Sequence, residues 1–390
     1  MASLVFLLLL SLCLLTKNGA ADLNLNVADF GAIGDGKTDA SRSFLSAWAL
    51  ACASRFPATI FVPPKTYLLR PTVFEGPCIN RAVTIELNGI LLAPADYNDM
   101  GSSISWLKFH RAEGLSIVGG YINGQGSTLW ACKKGGHHCP TGARSLQFVN
   151  SRNVVVTNLT SINSKFYHIV IDDCDSVTLQ GVRIIAPENS PNTDGIHIHQ
   201  STNVRVLNAG IKTGDDCISI GPGSKNVWVQ RVACGPGHGI SIGSLGQSEE
   251  EDGVQNVTAK HVVFNGTMNG FRIKTWARPS KGFVNGVLFQ TAVMSNVRNP
   301  IIIDQSFCDG SGGCPNQNSG IKISGLTYKS IKGTSATEIA MKFNCSASSP
   351  CKGIKLQDIK LTYLSSQPAL SFCKNAQGTA VGSVIPASCF

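Results

Sequence analysis

The chain has 390 residues, 14 of them cysteine, and a formal net charge of +9. Its basic residues are dispersed and form no Lys/Arg-rich block or recognised nucleic-acid motif, so nucleic acid is not an expected partner. The positive charge indicates either solubility alone or attraction to an acidic polymer outside the cell. Beyond the first residues no apolar run is long enough to span a bilayer, so we expect no membrane partner.

Residues 1–21 are typical of a secretory signal peptide. The stretch from Leu4 to Leu15 is almost wholly apolar yet too short to cross a bilayer, and Gly19-Ala20-Ala21 supplies small residues for cleavage. The alternative, a buried N-terminal helix, lacks any polar pattern. We therefore expect a secreted, extracellular protein with one mature domain, 22–390. Possible glycosylation sequons begin at Asn158, Asn256, Asn265 and Asn344.

Near the start of the mature chain one segment is predicted to form a helix. Asp39 is placed to cap an amphipathic segment whose apolar residues are Phe44, Leu45, Trp48, Ala49 and Cys52. We expect this helix to cover the open N-terminal end of the fold. The turn-rich segment from Phe30 to Gly36 has the glycines of a nucleotide-binding loop, but it lacks the spacing and the strand–helix context of one.

Cysteine usage fits an oxidising compartment. Cys13 leaves with the signal peptide, and closeness in sequence suggests the pairs Cys52/Cys78, Cys132/Cys139, Cys217/Cys234, Cys308/Cys314, Cys345/Cys351 and Cys373/Cys389. Cys174 is left over and follows an apolar strand, which predicts a buried free thiol. Cys132 and Cys139 flank His137-His138, where a zinc site is the alternative to the favoured disulfide-closed loop.

Two interleaved series of short strands recur through the middle of the chain. The first begins at Asn153, Ser176, Asn203, Asn226, Asn256 and Asn285. The second begins at Ile169, Ile196, Ile218, Ile240, Phe271 and Ile301, with spacings of 27, 22, 22, 31 and 30 residues. Both series alternate apolar and polar residues, and no helix-length segment separates consecutive strands. Each repeat therefore contributes one coil of chain.

A parallel β-helix satisfies this pattern. Each coil adds one rung about 4.8 Å from the next, and inward Ile and Val side chains stack into a long core. A propeller is the competing all-β architecture, but its blades need four-stranded repeats of about 40 residues or more. We predict an all-β fold, a single parallel β-helix (solenoid) with an N-terminal capping helix.

Asp194, Asp216 and His238 each stand two positions before a strand of the second series. Residues in register on consecutive rungs stack, so these side chains should share one wall, with Asp215 adjacent. Repulsion among three acids should raise the pKa of at least one and leave a proton donor beside carboxylate bases. Hydrolysis of a glycosidic bond requires that combination.

Two alternatives apply to this acid cluster, a set of Asx turns and a calcium site. The positive side chains of Arg272 and Lys274, together with His238, would repel calcium, and we expect neither a metal nor a cofactor. Arg272 and Lys274 project from the same strand face, where they can bind a substrate carboxylate or simply be solvated. His238 can hydrogen-bond an acid and tune its protonation.

Four segments together resemble the signatures of glycoside hydrolase family 28, the polygalacturonases, and in particular its plant branch. They are Ser190-Pro-Asn-Thr-Asp-Gly-Ile-His, Thr213-Gly-Asp-Asp-Cys-Ile-Ser-Ile-Gly, Cys234-Gly-Pro-Gly-His-Gly-Ile-Ser-Ile-Gly-Ser and Phe271-Arg-Ile-Lys-Thr. The resemblance implies a right-handed β-helix that hydrolyses the α-1,4-galacturonosyl linkages of de-esterified pectin, a homogalacturonan of the plant cell wall, with inversion. A monomer is the default expectation.

The resemblance also implies roles for individual residues. Asp215 would be the general acid, while Asp194 and Asp216 would hold and activate water. His238 would maintain the protonation of the acid. Residues that would bind sugar at or beside the cleavage point are Asn192, Arg272 and Lys274.

The chain departs from the family at Phe307, where members often carry Tyr. The ring can still pack against sugar, but a hydroxyl contact typically worth about 0.5–1.5 kcal/mol is lost. We expect reduced rather than absent activity.

Three other functions remain as alternatives. A family-28 hydrolase of substituted pectin, such as rhamnogalacturonan, is disfavoured by the Arg272/Lys274 pair. A non-catalytic or weakly active pectin-binding wall protein is disfavoured by the intact acids and favoured only by Phe307. A β-helical pectate lyase would depend on calcium and release unsaturated products.

Overall fold

The computed structural model describes residues 22–136, 138–310, 313–364 and 366–390. The expected signal peptide, residues 1–21, lies outside the described residues, and so does His137 of the loop considered for zinc. Within the described ranges most residues belong to β-strands. No helix there is both long and apolar enough to cross a membrane.

The described chain combines many strands with a few short helices. Helix α1 spans Ser41–Ala53, α2 spans Ser127–Lys134, and single 3-10 turns span Val27–Phe30 and Tyr97–Met100. In chain order the strands are β1 (Leu23–Asn26), β2 (Asp35–Asp39), β3 (Ala58–Val62), β4 (Thr66–Leu68), β5 (Thr72–Glu75), β6 (Val83–Leu87), β7 (Ile90–Leu92), β8 (Ser105–His110), β9 (Leu115–Val118), β10 (Tyr121–Asn123), β11 (Arg144–Val149), β12 (Arg152–Thr157), β13 (Thr160–Ile162), β14 (Ile169–Asp172), β15 (Asp175–Gln180), β16 (Arg183–Ile185), β17 (Ile196–His199), β18 (Thr202–Leu207), β19 (Gly210–Lys212), β20 (Ile218–Ile220), β21 (Lys225–Cys234), β22 (Ile240–Leu245), β23 (Val254–Asn265), β24 (Asn269–Trp276), β25 (Phe283–Val297), β26 (Asn299–Phe307), β27 (Lys322–Ser335), β28 (Ile339–Asn344), β29 (Cys351–Tyr363), β30 (Gln367–Pro368), β31 (Leu370–Lys374) and β32 (Ala376–Ile385).

Pairing between successive coils, parallel except between β29 and β30, arranges these strands into a large sheet of 21 strands and a second sheet of 11, which we call the site sheet. The site sheet runs in the order β5, β8, β11, β14, β17, β20, β22, β24, β26, β28 and β31. Its register aligns Ile169, Ile196, Ile218, Ile240, Phe271 and Ile301 on successive rungs. The second predicted strand series is confirmed, and with it the parallel β-helix.

The first predicted series runs along the large sheet, with one error at its last member. Its residues before that point share a left-handed backbone, with φ between 53° and 59°: Asn153, Ser176, Asn203, Asn226 and Asn256. On the next rung Val257 pairs with Val287, so Gly286, with φ of 68°, occupies the position that spacing assigned to Asn285. The position demands a left-handed residue, and glycine meets that demand at no steric cost.

The interior of the coil is filled by the inward residues of both sheets. On the rungs that carry the site these residues are fully buried, as at Ile196, Ile218 and Ile240. Aromatic side chains continue the stack further along, where Phe271 lies 4.3 Å from Phe289 between ring centroids. Burying each such side chain contributes about 1.5–3 kcal/mol, so the column holds the rungs in a single register.

Helix α1 covers the N-terminal end of the coil, as predicted, although two details differ. It begins at Ser41 with Ala40 as the N-cap residue, while the Asp39 carboxylate accepts the Ser41 N–H at 3.0 Å. Phe44 and Trp48 are buried against the first rungs, and the Trp48 indole donates to the Glu75 carbonyl at 3.0 Å. Leu45 and Ala49 instead face outward, since the end of the coil accepts only one stripe of the helix.

Six disulfides join the cysteine pairs that closeness in sequence suggested. The bond between Cys132 and Cys139 removes both thiolates that the zinc alternative needs. Cys174 is free and buried, as predicted, and burial is the main reason that the pKa of its thiol rises to about 11. A neutral buried thiol is a poor nucleophile.

Candidate active site

The candidate site is formed by residues two positions before the aligned inward residues of the site sheet, which we call the pre-strand row; those inward residues are Leu146, Ile169, Ile196, Ile218 and Ile240. Main-chain hydrogen bonds align this row across coils. The His168 N–H donates to the Asp194 carbonyl at 2.8 Å, and the Gly195 N–H donates to the Asp216 carbonyl at 2.8 Å. The same register places His238 on the next rung. The structure therefore brings Asp194, Asp216 and His238 onto one wall, with Asp215 beside them.

Asp216 is the most heavily bonded acid of the site. Its side chain is 1 % exposed, and its Oδ1 accepts from Arg272 Nη2 at 2.6 Å and from Ser241 Oγ at 2.8 Å. Its Oδ2 accepts from Lys274 Nζ at 2.9 Å. Arg272 Nε also donates to Ser241 Oγ at 2.9 Å, so the serine links the two charged groups. Two cations and a hydroxyl thus compensate one buried carboxylate.

The neighbouring acids have opposite protonation tendencies. Burial opposes ionisation of Asp216, but the charges of Arg272 and Lys274 outweigh it and lower its pKa to about 2. Burial raises the pKa of Asp194 well above its ordinary range, and the charges of Asp215 and Asp216 raise it further. The expectation that crowding raises one pKa is met at Asp194, where lost hydration is a larger cause than repulsion.

Asp215 faces the histidine of the next rung. His238 Nδ1 lies 3.1 Å from Asp215 Oδ1, and the His238 N–H donates to the Asp215 carbonyl at 2.7 Å. The Asp216 N–H donates to the same carboxylate oxygen at 2.7 Å. Gly239 fits beside His238 because φ is +93° there and a Cβ would lie 2.2 Å from the Asn269 carbonyl oxygen. These contacts hold the imidazole against the carboxyl group.

The acids open into a cavity of about 560 Å³, which Lys274 also lines. Further lining residues were not singled out from sequence: Arg144, Tyr167, Asp172, His197 and His199. The Tyr167 ring stacks on His197 at 4.5 Å between centroids. Burial, followed by the charges of His199 and Arg144, lowers the pKa of His197 to about 4. His197 is therefore neutral near pH 6, and its 3.4 Å contact with Asp194 is not an ion pair.

The spacing rule that found the acids applies equally to two of these missed residues. Tyr167 stands two positions before Ile169, and Arg144 stands two positions before Leu146. They are the preceding members of the pre-strand row, because Leu146 pairs with Ile169 and Ile169 with Ile196. His197 carried a different signal, a polar residue between two buried apolar residues, which is also the pattern of Arg272.

The two remaining predicted sugar-binding residues lie at different distances from the acids. The Phe307 ring lies next to the cations, with its centroid 5.0 Å from Lys274 Nζ and 5.9 Å from the Arg272 guanidinium carbon. It also meets Trp276 edge to face at 5.4 Å. Asn192 is exposed on the turn before Asp194, with φ of 55°. Like Arg272, His238 and Phe307, it is not among the residues that line the cavity.

A metal ion fits this cluster poorly. One potential ligand atom from each of Asp215, Asp216 and His238 lies within 4.8 Å of the others. Both carboxylate oxygens of Asp216, however, already accept from cationic side chains. A divalent ion at this position would face the positive charges of Arg272 and Lys274. This cluster therefore suits a water molecule better than calcium.

Comparisons with known proteins agree on one family. The family model for glycosyl hydrolases family 28 matches residues 52–389. A polygalacturonase of Prunus persica is 54% identical over 388 residues, which cover 99% of this chain and 98% of the relative. An exopolygalacturonase of Platanus acerifolia is 42% identical over 368 residues, or 93% of this chain and 96% of the relative.

Solved structures show the same fold at low sequence identity. The endo-xylogalacturonan hydrolase of Aspergillus tubingensis superposes with a TM-score of 0.79 at 21% identity, covering 94% of this chain and all of its own. The polygalacturonase of Erwinia carotovora gives a TM-score of 0.70 at 24% identity, over 92% and 96% of the two chains. The chain belongs to glycosyl hydrolase family 28.

Proposed function

We propose that this protein is a polygalacturonase that hydrolyses the α-1,4-galacturonosyl linkages of de-esterified pectin with inversion. The observation that carries the proposal is the pairing of Asp216 with Arg272 and Lys274 beside two further acids in one cavity. An inverting glycosidase needs a proton donor, a carboxylate base and room for water between them. A substrate that carries a carboxylate on every sugar needs cations next to the cleaved bond.

Asp216 supplies the permanent carboxylate of this mechanism. Because its pKa is about 2, Asp216 is ionised at any mildly acidic or neutral pH. Asp194 shares the same wall and holds a proton more readily. We propose that these two acids position the attacking water, and that Asp194 must be deprotonated for the pair to accept the proton that the water loses.

Asp215 is the proposed general acid. It stands apart from the Asp194/Asp216 pair in phase, and His238 Nδ1 faces its Oδ1 at 3.1 Å. We propose that this contact holds the Asp215 carboxyl group in place as the donor to the glycosidic oxygen.

The cations have donors left for substrate. Arg272 uses Nε and Nη2 on Ser241 and Asp216, while a guanidinium carries five N–H donors and an ammonium three. A galacturonate carboxylate can therefore bind Arg272 and Lys274 without displacing Asp216. The Phe307 ring beside both cations offers an apolar face to the same sugar.

We further propose that the protein acts outside the cell, in the plant cell wall, as a monomer. Six disulfides suit an oxidising compartment, and residues 1–21 have the pattern of a secretory signal. All the proposed catalytic side chains come from one chain, so the chemistry needs no second copy.

Digestion of demethylated polygalacturonate by the purified mature protein tests the proposal. We expect release of reducing ends that a chelator does not change and that Asp215→Asn lowers by a factor of about 10²–10⁴, the usual contribution of a general acid. Asp358→Asn, an exposed acid on β29, is the matched control and should retain full activity. Loss of activity with chelator, or unsaturated products, would identify a calcium-dependent lyase instead.

The charge of Lys274 should set the acid limb of the pH–rate profile. It lowers the pKa of both Asp194 and Asp216, so Lys274→Gln raises both pKa values and leaves fewer acids ionised at a given low pH. We expect the acid limb of kcat to move up by about one pH unit. Lys355→Gln, an exposed lysine on the large sheet, should leave it in place. An acid limb that stays fixed or moves to lower pH in Lys274→Gln contradicts the proposal that Asp194 and Asp216 must be ionised to activate water.

The aromatic residue beside the cations should modulate turnover. Phe307→Tyr restores the hydroxyl group that family members often carry, and we expect kcat/KM to rise roughly 2- to 10-fold. Phe307→Leu removes the ring and should lower it. Steady-state kinetics on polygalacturonate measures both variants. An unchanged or lower kcat/KM in Phe307→Tyr would show that the missing hydroxyl group does not limit activity.

A further inference from the structure

The pre-strand row continues beyond the acids toward the N-terminus. The Ser145 N–H donates to the Tyr167 carbonyl at 2.9 Å, and the His168 N–H donates to the Asp194 carbonyl at 2.8 Å. Arg144, Tyr167 and Asp194 therefore begin three successive rungs in the same phase. Arg144 lies two rungs before Asp194, a backbone separation on the order of 10 Å at the spacing of neighbouring strands. All three line the same cavity.

The Arg144 guanidinium keeps its donors free. Among the described residues it makes no side-chain hydrogen bond and no ion pair, whereas Lys274, the other cation lining the cavity, is bonded to Asp216. Its charge acts on its neighbours, because it contributes to lowering the pKa values of Asp172 and His197. Arg144 is thus a half-buried cation that faces the cavity without a partner.

An internal ion pair with Asp172 is the simplest competing role for Arg144. The Asp172 carboxylate is already engaged, since its Oδ1 lies 2.9 Å from His199 Nδ1. Its Oδ2 accepts from Gln147 Nε2 at 3.5 Å. Asp172 and His199 therefore satisfy each other, and the five donors of Arg144 remain available to something that enters the cavity.

The surroundings of Arg144 suit a sugar acid. Tyr167, on the neighbouring rung, stacks between Phe166 at 3.9 Å and His197 at 4.5 Å, which gives this end of the cavity a rigid aromatic wall. Both faces of the Tyr167 ring are covered, so a sugar would pack its apolar face against Phe166 or His197, which also line the cavity. A guanidinium forks onto a carboxylate. The two features lie side by side on the wall that carries the acids.

We propose that Arg144 binds the carboxylate of a second galacturonate, on the N-terminal side of the catalytic acids. This inference rests on the proposed function and deepens it. Arg272 and Lys274 hold one uronate at the C-terminal side, and Arg144 holds another across the acids. The cleft then recognises a free carboxylate on both sides of the cleaved bond. A methyl ester carries no charge and offers the fork no carboxylate, so esterification at either position weakens binding.

Equilibrium binding on a catalytically blocked background tests Arg144 separately from turnover. The Kd values of tetragalacturonate and of its methyl ester are measured by calorimetry on Asp215→Asn and on Asp215→Asn/Arg144→Gln. We expect the second substitution to raise the Kd of tetragalacturonate about 10-fold or more, since a fork onto a carboxylate is a strong charge-assisted contact. The Kd of the ester should change little, so discrimination between the two ligands falls.

Two further variants separate recognition from folding. Arg144→Lys keeps the charge and loses the fork, and its Kd should fall between those of the parent and Arg144→Gln. Arg183→Gln removes an exposed arginine of the large sheet and should change neither Kd. Equal weakening of both ligands by Arg144→Gln, or an unchanged Kd for tetragalacturonate, overturns the inference. Thermal unfolding shows whether each variant is folded. If Arg144→Gln does not fold, the Kd of tetragalacturonate for Arg144→Lys tests the inference instead.

The proposed function can fail independently of this inference. Wild-type protein that binds tetragalacturonate through Arg144 but releases no reducing ends from polygalacturonate would be a uronate-binding wall protein. Wild-type protein that hydrolyses polygalacturonate while Arg144→Gln binds tetragalacturonate as the parent does would keep the enzyme and reject the second carboxylate site.

Discussion

The in-register stacking of parallel rungs is the constraint on which the site depends. No single coil contains the chemistry, since Asp194, Asp216 and His238 come from three successive repeats. They meet because the strand that follows each of them is held by a buried residue at the same place. A register slip of one residue would turn those inward residues outward, and it would carry the acids out of line with one another. The apolar column thus determines the position of the catalytic wall.

Electrostatic compensation is the second requirement, and it comes from further along the same sheet. An isolated carboxylate as buried as Asp216 would take up a proton rather than bear the cost of lost hydration. Arg272 and Lys274, two rungs on from Asp216, keep it ionised. Asp194 lies outside their direct contact and receives the opposite shift. Two carboxyl groups on neighbouring rungs thereby differ in how readily they hold a proton, and in the proposed mechanism Asp194 must release its proton before the pair can activate water.

The sequence predicted the features that follow from periodicity. The strand series, the parallel β-helix, the capping helix and the cysteine pairs all appear in the structure, because each depends on spacing along the chain. Its errors were local ones. The left-handed position on the last rung of the first series is occupied by Gly286 and not by Asn285. Both residue types tolerate a left-handed backbone, so spacing alone could not distinguish them. Leu45 faces solvent because a single helix buries only one stripe on the end of a coil.

The site could be predicted only in part, for a similar reason. Phase identified the acids because carboxylates are conspicuous beside a strand, but the same phase at Arg144 and Tyr167 went unused. The protonation of each acid needed three-dimensional contacts, since the bond from Lys274 to Asp216 spans 58 residues. Residue type and spacing can suggest which groups meet, while burial decides which of them carries a proton.

The anomeric configuration of the first product tests the central claim most directly. In the proposed mechanism Asp194 and Asp216 activate water and Asp215 protonates the leaving oxygen. Cleavage should therefore occur in one displacement. Proton NMR of a fresh tetragalacturonate digest, recorded before mutarotation, should show the new reducing end as the β-anomer formed from an α-linkage. An initial α-anomer would mean retention, with one of these carboxylates attacking the sugar, and would contradict the account.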